Sequence, residues 1–149
     1  MQLVAKELFL KYALPCGSVL VKRGTITQEQ LRELETDPTI FKVGLFMCEQ
    51  AAKNLGKSTI DAEAIHQYFW MDHDEHLKHA EGDVDPRLCT VWPAEYLGEN
   101  RARTPIDERK VNISFTPNVK SGDYVTVHYG RTCEAITAEE FHHLWELKK

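Results

Sequence analysis

Glu81-Gly82-Asp83-Val84-Asp85-Pro86 divides this sequence into two halves with different hydrophobic periods. Its acids, glycine and proline carry turn chemistry and no continuous apolar face. Upstream, the apolar residues recur at helical spacing. Leu3, Leu8 and Leu10 mark a short first segment, expected to end at Pro15 and Gly17. Thr27-Gln28-Glu29-Gln30 reads as a capping box, a hydroxyl followed three residues on by a glutamine, and Leu31 and Leu34 supply the apolar face behind it. Pro38 suits the first turn of another helix, with Phe41, Leu45, Cys48, Ala51, Ala52 and Leu55 inside it and Gly56 placed to end it. A last helix is expected from near Asp61 through Ile65, Tyr68, Phe69 and Trp70 towards Ala80.

Downstream of Pro86 the pattern alternates. Lys110-Val111-Asn112-Ile113-Ser114-Phe115 is apolar at every second position, as a half-buried strand requires. Residues 123–129 repeat the device, with Val125 and Val127 on one face and Tyr124, Thr126 and His128 on the other. Residues 88–97 and 100–105 read as further strands of the same sheet. Thr137-Ala138-Glu139-Glu140 is a second capping box, opening a terminal helix with Phe141, Leu144 and Trp145 on one face. The fold class is therefore α+β. A small helical domain over residues 1–82 precedes a small OB-like β-barrel with a C-terminal helix over residues 87–149.

The composition, 42% hydrophobic and 28% charged, is that of a globular chain. A net charge of −5 without a basic stripe argues against nucleic acid as a partner. No apolar run reaches the roughly 20 residues that span a bilayer. The first residues, with Glu7 early among them, do not read as a secretory signal, so a cytoplasmic location is expected. Cys16, Cys48, Cys89 and Cys133 form no Cys-x-x-Cys pair, and free thiols in a reducing compartment are the plain reading. Cys16, beside Pro15 and Gly17, is expected in a loop.

Leu88-Cys89-Thr90-Val91-Trp92-Pro93-Ala94 resembles the Met-Cys-x-x-x-Pro opening of the hydrogenase-assembly chaperones of the HypC/HupF type. Arg109-Lys110-Val111-Asn112-Ile113-Ser114 is similar to that family's central strand. Val119-Lys120-Ser121-Gly122-Asp123-Tyr124-Val125-Thr126-Val127-His128-Tyr129-Gly130 resembles its Gly-Asp-Tyr-Val turn and the strand ending in His-x-Gly. The resemblance covers residues 87–149 in matching order and spacing. It implies a metal-delivery chaperone and not an enzyme. Such a protein would carry iron with cyanide and carbonyl ligands for a nickel–iron hydrogenase, working with an iron–sulfur scaffold maturation protein and the hydrogenase large-subunit precursor. Cys89 would supply a thiolate and His128 an imidazole, with Cys89 and Pro93 meeting the partner. The donor chemistry agrees, since a soft thiolate and a borderline imidazole suit low-spin iron. A site with only two protein ligands can also release its cargo.

Two departures stand out. The family carries its cysteine as the second residue, whereas here a helical half precedes Cys89 and no α-amino ligand is at hand unless the chain is cleaved. After His128 the chain reads Tyr129-Gly130-Arg131-Thr132-Cys133, where small apolar residues are usual in the family. Even so, Cys89 is expected to stay solvent-accessible, because thiolate chemistry requires access.

The helical half carries its own candidate. On a regular helix Asp72, His76 and His79 fall near one face, and His66 and His73 share another. Either set could bind a divalent metal, and a solvated charged helix end explains them equally well. Three functions compete: the metallocentre-assembly chaperone, a protein-interaction or regulatory module using the barrel without metal, and a metal-dependent enzyme built on Asp72, His76 and His79.

Overall fold

A computed structural model describes residues 1–22, 24, 26–78 and 85–149. The chain forms two compact units, Met1–His76 and Leu77–Lys149.

The first unit is mostly helical: α1 (Lys6–Lys22), α2 (Gln28–Thr36), α3 (Lys42–Asn54), α4 (Ala62–His66) and most of α5 (His73–Lys78), whose last two residues fall past His76. A short parallel pair that the sequence does not announce, β1 (Gln2–Leu3) with β2 (Thr59–Ile60), ties its start to its middle. The first helix does not stop at Pro15 and Gly17. It continues to Lys22 with both residues inside and buried. A proline inside a helix costs about 3 kcal/mol, so tertiary packing decides here. Phe9, Tyr12 and Ala13 on the same helix are fully buried. Gly17 lets α2 come close, because a Cβ there would lie 2.7 Å from Leu31 Cδ1. Cys16 is consequently a half-buried helical residue and not a loop residue.

The other caps follow local chemistry. The Thr27 hydroxyl accepts from the Gln30 amide at 3.1 Å, and the Gln30 side chain accepts from the Thr27 amide at 2.8 Å. Pro38 opens a 3-10 turn, Pro38–Ile40, and α3 starts after it. Gly56, at φ +73°, ends α3 with its amide on Lys53 O (3.0 Å) and the Lys57 amide on Ala52 O (2.9 Å), a Schellman closure. Asp61 caps α4 through the Ala64 amide at 3.0 Å. Between α4 and α5 the chain widens into a π turn, Gln67–Asp72. The Phe69 ring of that turn stacks on Tyr12 with ring centres 5.1 Å apart, and the Trp70 indole donates to the Tyr12 hydroxyl at 2.9 Å.

In the second unit, residues 86–89 form a single helical turn, α6 (Pro86–Cys89). A five-stranded antiparallel sheet follows: β3 (Trp92–Gly98), β4 (Arg101–Arg103), β5 (Glu108–Lys110), β6 (Tyr124–His128) and β7 (Arg131–Ala135). The strand order is β5-β4-β3-β6-β7. Ala94, Tyr96, Ala102, Val111, Val125 and Val127 make the core, with Ile113 and Val119 against it. The last helix, α7 (Ala138–Lys148), starts at the Thr137–Glu140 capping box and buries Phe141 and Leu144. Phe141 stacks on Tyr124 with centres 4.1 Å apart.

Three strand expectations need correction. Residues 88–97 are not strand throughout. Asp85 and Pro86 make an N-cap and first-turn pair, the Asp85 carboxylate accepting from the Arg87 amide at 2.9 Å, so Cys89 ends a helical turn and β3 starts at Trp92. The alternating run at residues 110–115 leaves the ladder after Lys110. Asn112 takes the Ser114 amide on its own side chain at 2.8 Å, a local bond that competes with strand pairing. Asn112 instead makes an isolated parallel bridge to Arg131. Finally, β6 is buried on both faces: Thr126 and His128 are as enclosed as Val125 and Val127.

Candidate metal centre

Two backbone facts bring Cys89 to His128. Trp92 of β3 lies opposite Val127 of β6, so the end of β6 meets the start of β3. The α6 turn then carries Cys89 back over that junction. The Cys89 Sγ and His128 Nε2 atoms are 3.9 Å apart although 39 positions separate them in sequence. The expectation that they approach one another is met. For metal bonds of about 2.3 Å to sulfur and about 2.0 Å to nitrogen, this separation spans roughly 130° at the metal. Closing it by about 0.4 Å gives a tetrahedral angle, and by about 0.85 Å the right angle of six-coordination. Within this unit the donors brought together are one thiol and one imidazole, ligand types that suit a transition metal.

The expected accessibility is not met. Cys89 keeps 5% of its surface exposed and His128 none. Within this unit the α6 turn is fastened by its carbonyls. The Tyr129 amide donates to Leu88 O at 2.9 Å. The Trp92 indole donates to Arg87 O at 2.7 Å. Arg109 Nη2 adds a longer bond to Arg87 O at 3.4 Å.

Tyr129, the residue after His128, sits at φ +56°, in the left-handed region. That conformation costs a non-glycine residue about 1–2 kcal/mol. Both of its backbone groups are held: the amide by Leu88 O, and the carbonyl by Arg109 Nη1 at 2.9 Å. Arg109 is in turn gripped by Asp107, through Nε to Oδ1 at 3.0 Å and Nη2 to Oδ2 at 2.9 Å. The Thr104 hydroxyl donates to Asp107 Oδ1 at 2.7 Å. Burial pushes the Asp107 carboxyl up. The hydrogen bonds from Arg109 and Thr104, with the charges of Arg109 and Arg87, outweigh that and hold it below the usual carboxylate range. Neither Arg109 nor Asp107 was legible as part of a site. The Tyr129-Gly130 pair directly after a strand was the one available cue to a tight turn.

Pro93 is buried in β3 opposite Thr126, ahead of the point where β3 begins to pair with β4. Cys133 is fully buried in β7. In the helical unit, burial raises the Cys48 thiol to about 12, which leaves it protonated and inert.

The face expected to pair His66 with His73 does not form, because the π turn falls between them. His66 stacks on Trp70 with centres 3.9 Å apart, whereas His73 lies against Phe69 and Tyr68. Asp72 accepts from the Gln67 side chain at 3.0 Å, and His76 Nδ1 meets the Tyr68 hydroxyl at 3.0 Å. Among the described residues neither Asp72 nor His76 belongs to a group of three ligand side chains. His79 lies outside the described residues, as does most of the Glu81–Pro86 connection. Among the described residues no helix is long and apolar enough to cross a membrane.

No protein-family model, curated protein or solved structure matches the chain.

Proposed function

We propose that the protein is a metallocentre-assembly chaperone of the cytoplasm, a carrier and not an enzyme. Its cargo is an iron centre bound for a nickel–iron hydrogenase, and Cys89 and His128 hold it. The observation that carries this reading is the 3.9 Å approach of Cys89 Sγ to His128 Nε2, at the two positions that the resemblance to the assembly chaperones assigns. The Asn112–Arg131 bridge, which ties the chain after β5 to β7, supports the OB-like closure that the resemblance implies. With two protein donors, most of the iron's coordination positions remain for cyanide, carbonyl and the receiving protein. The partners in this reading are an iron–sulfur scaffold protein and the large-subunit precursor, met at the Cys89 turn near Pro93.

The burial of the pair favours a second reading, in which the same unit is a protein-interaction or regulatory module without metal. One experiment separates the two. The full chain, purified anaerobically from the native cell with its partners, is assayed for bound iron alongside Cys89→Ala and His128→Ala. The carrier reading expects iron to fall to background in Cys89→Ala. Partner capture at undiminished strength, with no iron in either protein, would leave the interaction module standing and end the carrier reading.

A further inference from the structure

We propose that Arg109 is a positioning residue that sets the separation of the Cys89 thiol and the His128 imidazole. The functional meaning of this inference rests on the carrier reading above. The geometry is independent of it. One guanidinium reaches both segments that bear the donors. Nη1 binds the carbonyl of Tyr129, the residue after His128, at 2.9 Å, and Nη2 reaches the carbonyl of Arg87, in the turn ending at Cys89, at 3.4 Å. Tyr129 occupies the left-handed region at φ +56° and holds the Leu88 carbonyl through its own amide. A backbone in such a region persists only where its surroundings over-determine it, and such residues gather at ligand clamps. Here the over-determination comes from the Cys89 turn on one side and from Arg109 on the other.

Asp107 makes the device rigid. Its two oxygens take Nε and Nη2 of Arg109, and it is held in place by the Thr104 hydroxyl. This fork-to-fork pairing fixes the plane of the guanidinium as well as its position. Arg109 is 10% exposed, so water does not replace these bonds at little cost. A lysine can bring the same charge to this place but not the planar fork that spans two carbonyls. The role is therefore geometric and not a matter of net charge.

The test uses cobalt(II) as the probe on the full-length protein, with Arg109→Lys and Arg109→Gln. In the wild type, cobalt(II) produces a thiolate-to-metal charge-transfer band that Cys89→Ala lacks. Both Arg109 variants keep that band, since Cys89 remains a ligand. They bind cobalt(II) at least about tenfold more weakly, in the range seen when outer partners of metal ligands are lost, and their ligand-field bands shift. A metal-free measurement accompanies this: the nuclear Overhauser contact between the Cys89 β-protons and the His128 ring weakens in both variants, while contacts between Trp92 and Val127 persist. Wild-type affinity and an unchanged Cys89–His128 contact in a folded variant would overturn the inference, as would full rescue by lysine. Should Arg109→Gln fail to fold, Arg109→Lys and Asp107→Asn decide, the latter expected to loosen the same contact without removing the guanidinium. If the wild type gives no cobalt band that depends on Cys89, the carrier reading falls, and the Overhauser contact alone still decides the role of Arg109.

Discussion

If Cys89 carries a cargo, a residue with 5% exposure must open to work. The α6 turn that holds Cys89 is a single turn. It is fastened by bonds from Tyr129, Trp92 and Arg109 at 2.9, 2.7 and 3.4 Å. At about 0.5–1.5 kcal/mol net for each, and least for the longest, lifting the turn costs about 2–4 kcal/mol. That corresponds to an open fraction of roughly one part in 30 to one in 1,000. Global unfolding, at about 5–15 kcal/mol, is rarer still. Alkylation of the native protein by iodoacetamide, followed peptide by peptide in a mass spectrometer, reads these fractions directly. Cys89 is expected to react roughly 30 to 1,000 times more slowly than a free thiol, and independently of low denaturant. Cys48 and Cys133 should react only through larger openings. If Cys89 reacts no faster than these two, and only as denaturant unfolds the protein, opening of the turn is not a native event. The carrier reading would then lose its support to the interaction module.

Two further outcomes are expected. Thr137→Ala removes the cap that accepts the Glu140 amide at 3.0 Å, and should cost about 1 kcal/mol in urea melts; an unchanged midpoint would contradict the assigned start of α7. The folded-state pKa of Asp107 lies below its ordinary 3.8, so its stabilising contribution is present above that value and is lost as pH falls through the lower folded-state value. Asp107→Asn should therefore flatten the acid limb of the stability profile below about pH 4, and an identical limb in both proteins would refute the assignment.

What the sequence made legible was local. The two capping boxes formed as read because a hydroxyl and an acceptor three residues apart need only each other. The Gly56 stop formed for the same reason. The misreadings arose where distant packing overruled a local signal. Pro15 is a helix breaker by every local rule, yet it stays in α1 with Phe9 and Tyr12 packed on the same helix. The alternation at residues 110–115 was a true period on a chain that Asn112 turns aside. Asp85-Pro86 was read as a linker, although its chemistry is also that of a helix start. Cys89 and His128 were found by resemblance, since nothing local pairs residues 39 apart. Arg109 escaped because its bonds to Tyr129 and Arg87 span 20 and 22 positions. No pattern in the chain encodes where a fork of that length will land.

The composition of the pair limits what kind of metal site it could form. A structural site closes four positions with protein ligands, and a catalytic zinc site usually keeps three. Cys89 and His128 supply two, and the fastened backbone around them leaves the thiol–imidazole distance longer than a tetrahedral bite requires. By themselves these two donors would leave a metal under-coordinated. The same deficiency suits a cargo that arrives with its own ligands, because the protein then completes a coordination sphere that it does not dominate. It also favours release, since a receiving protein offering two or more thiolates outcompetes a pair. On the carrier reading, the turn that must lift to admit a cargo is the one that carries Cys89, so loading and unloading would share a single gate. Arg109, bonded to both sides of that gate, sets how wide the pair stands when the gate is shut.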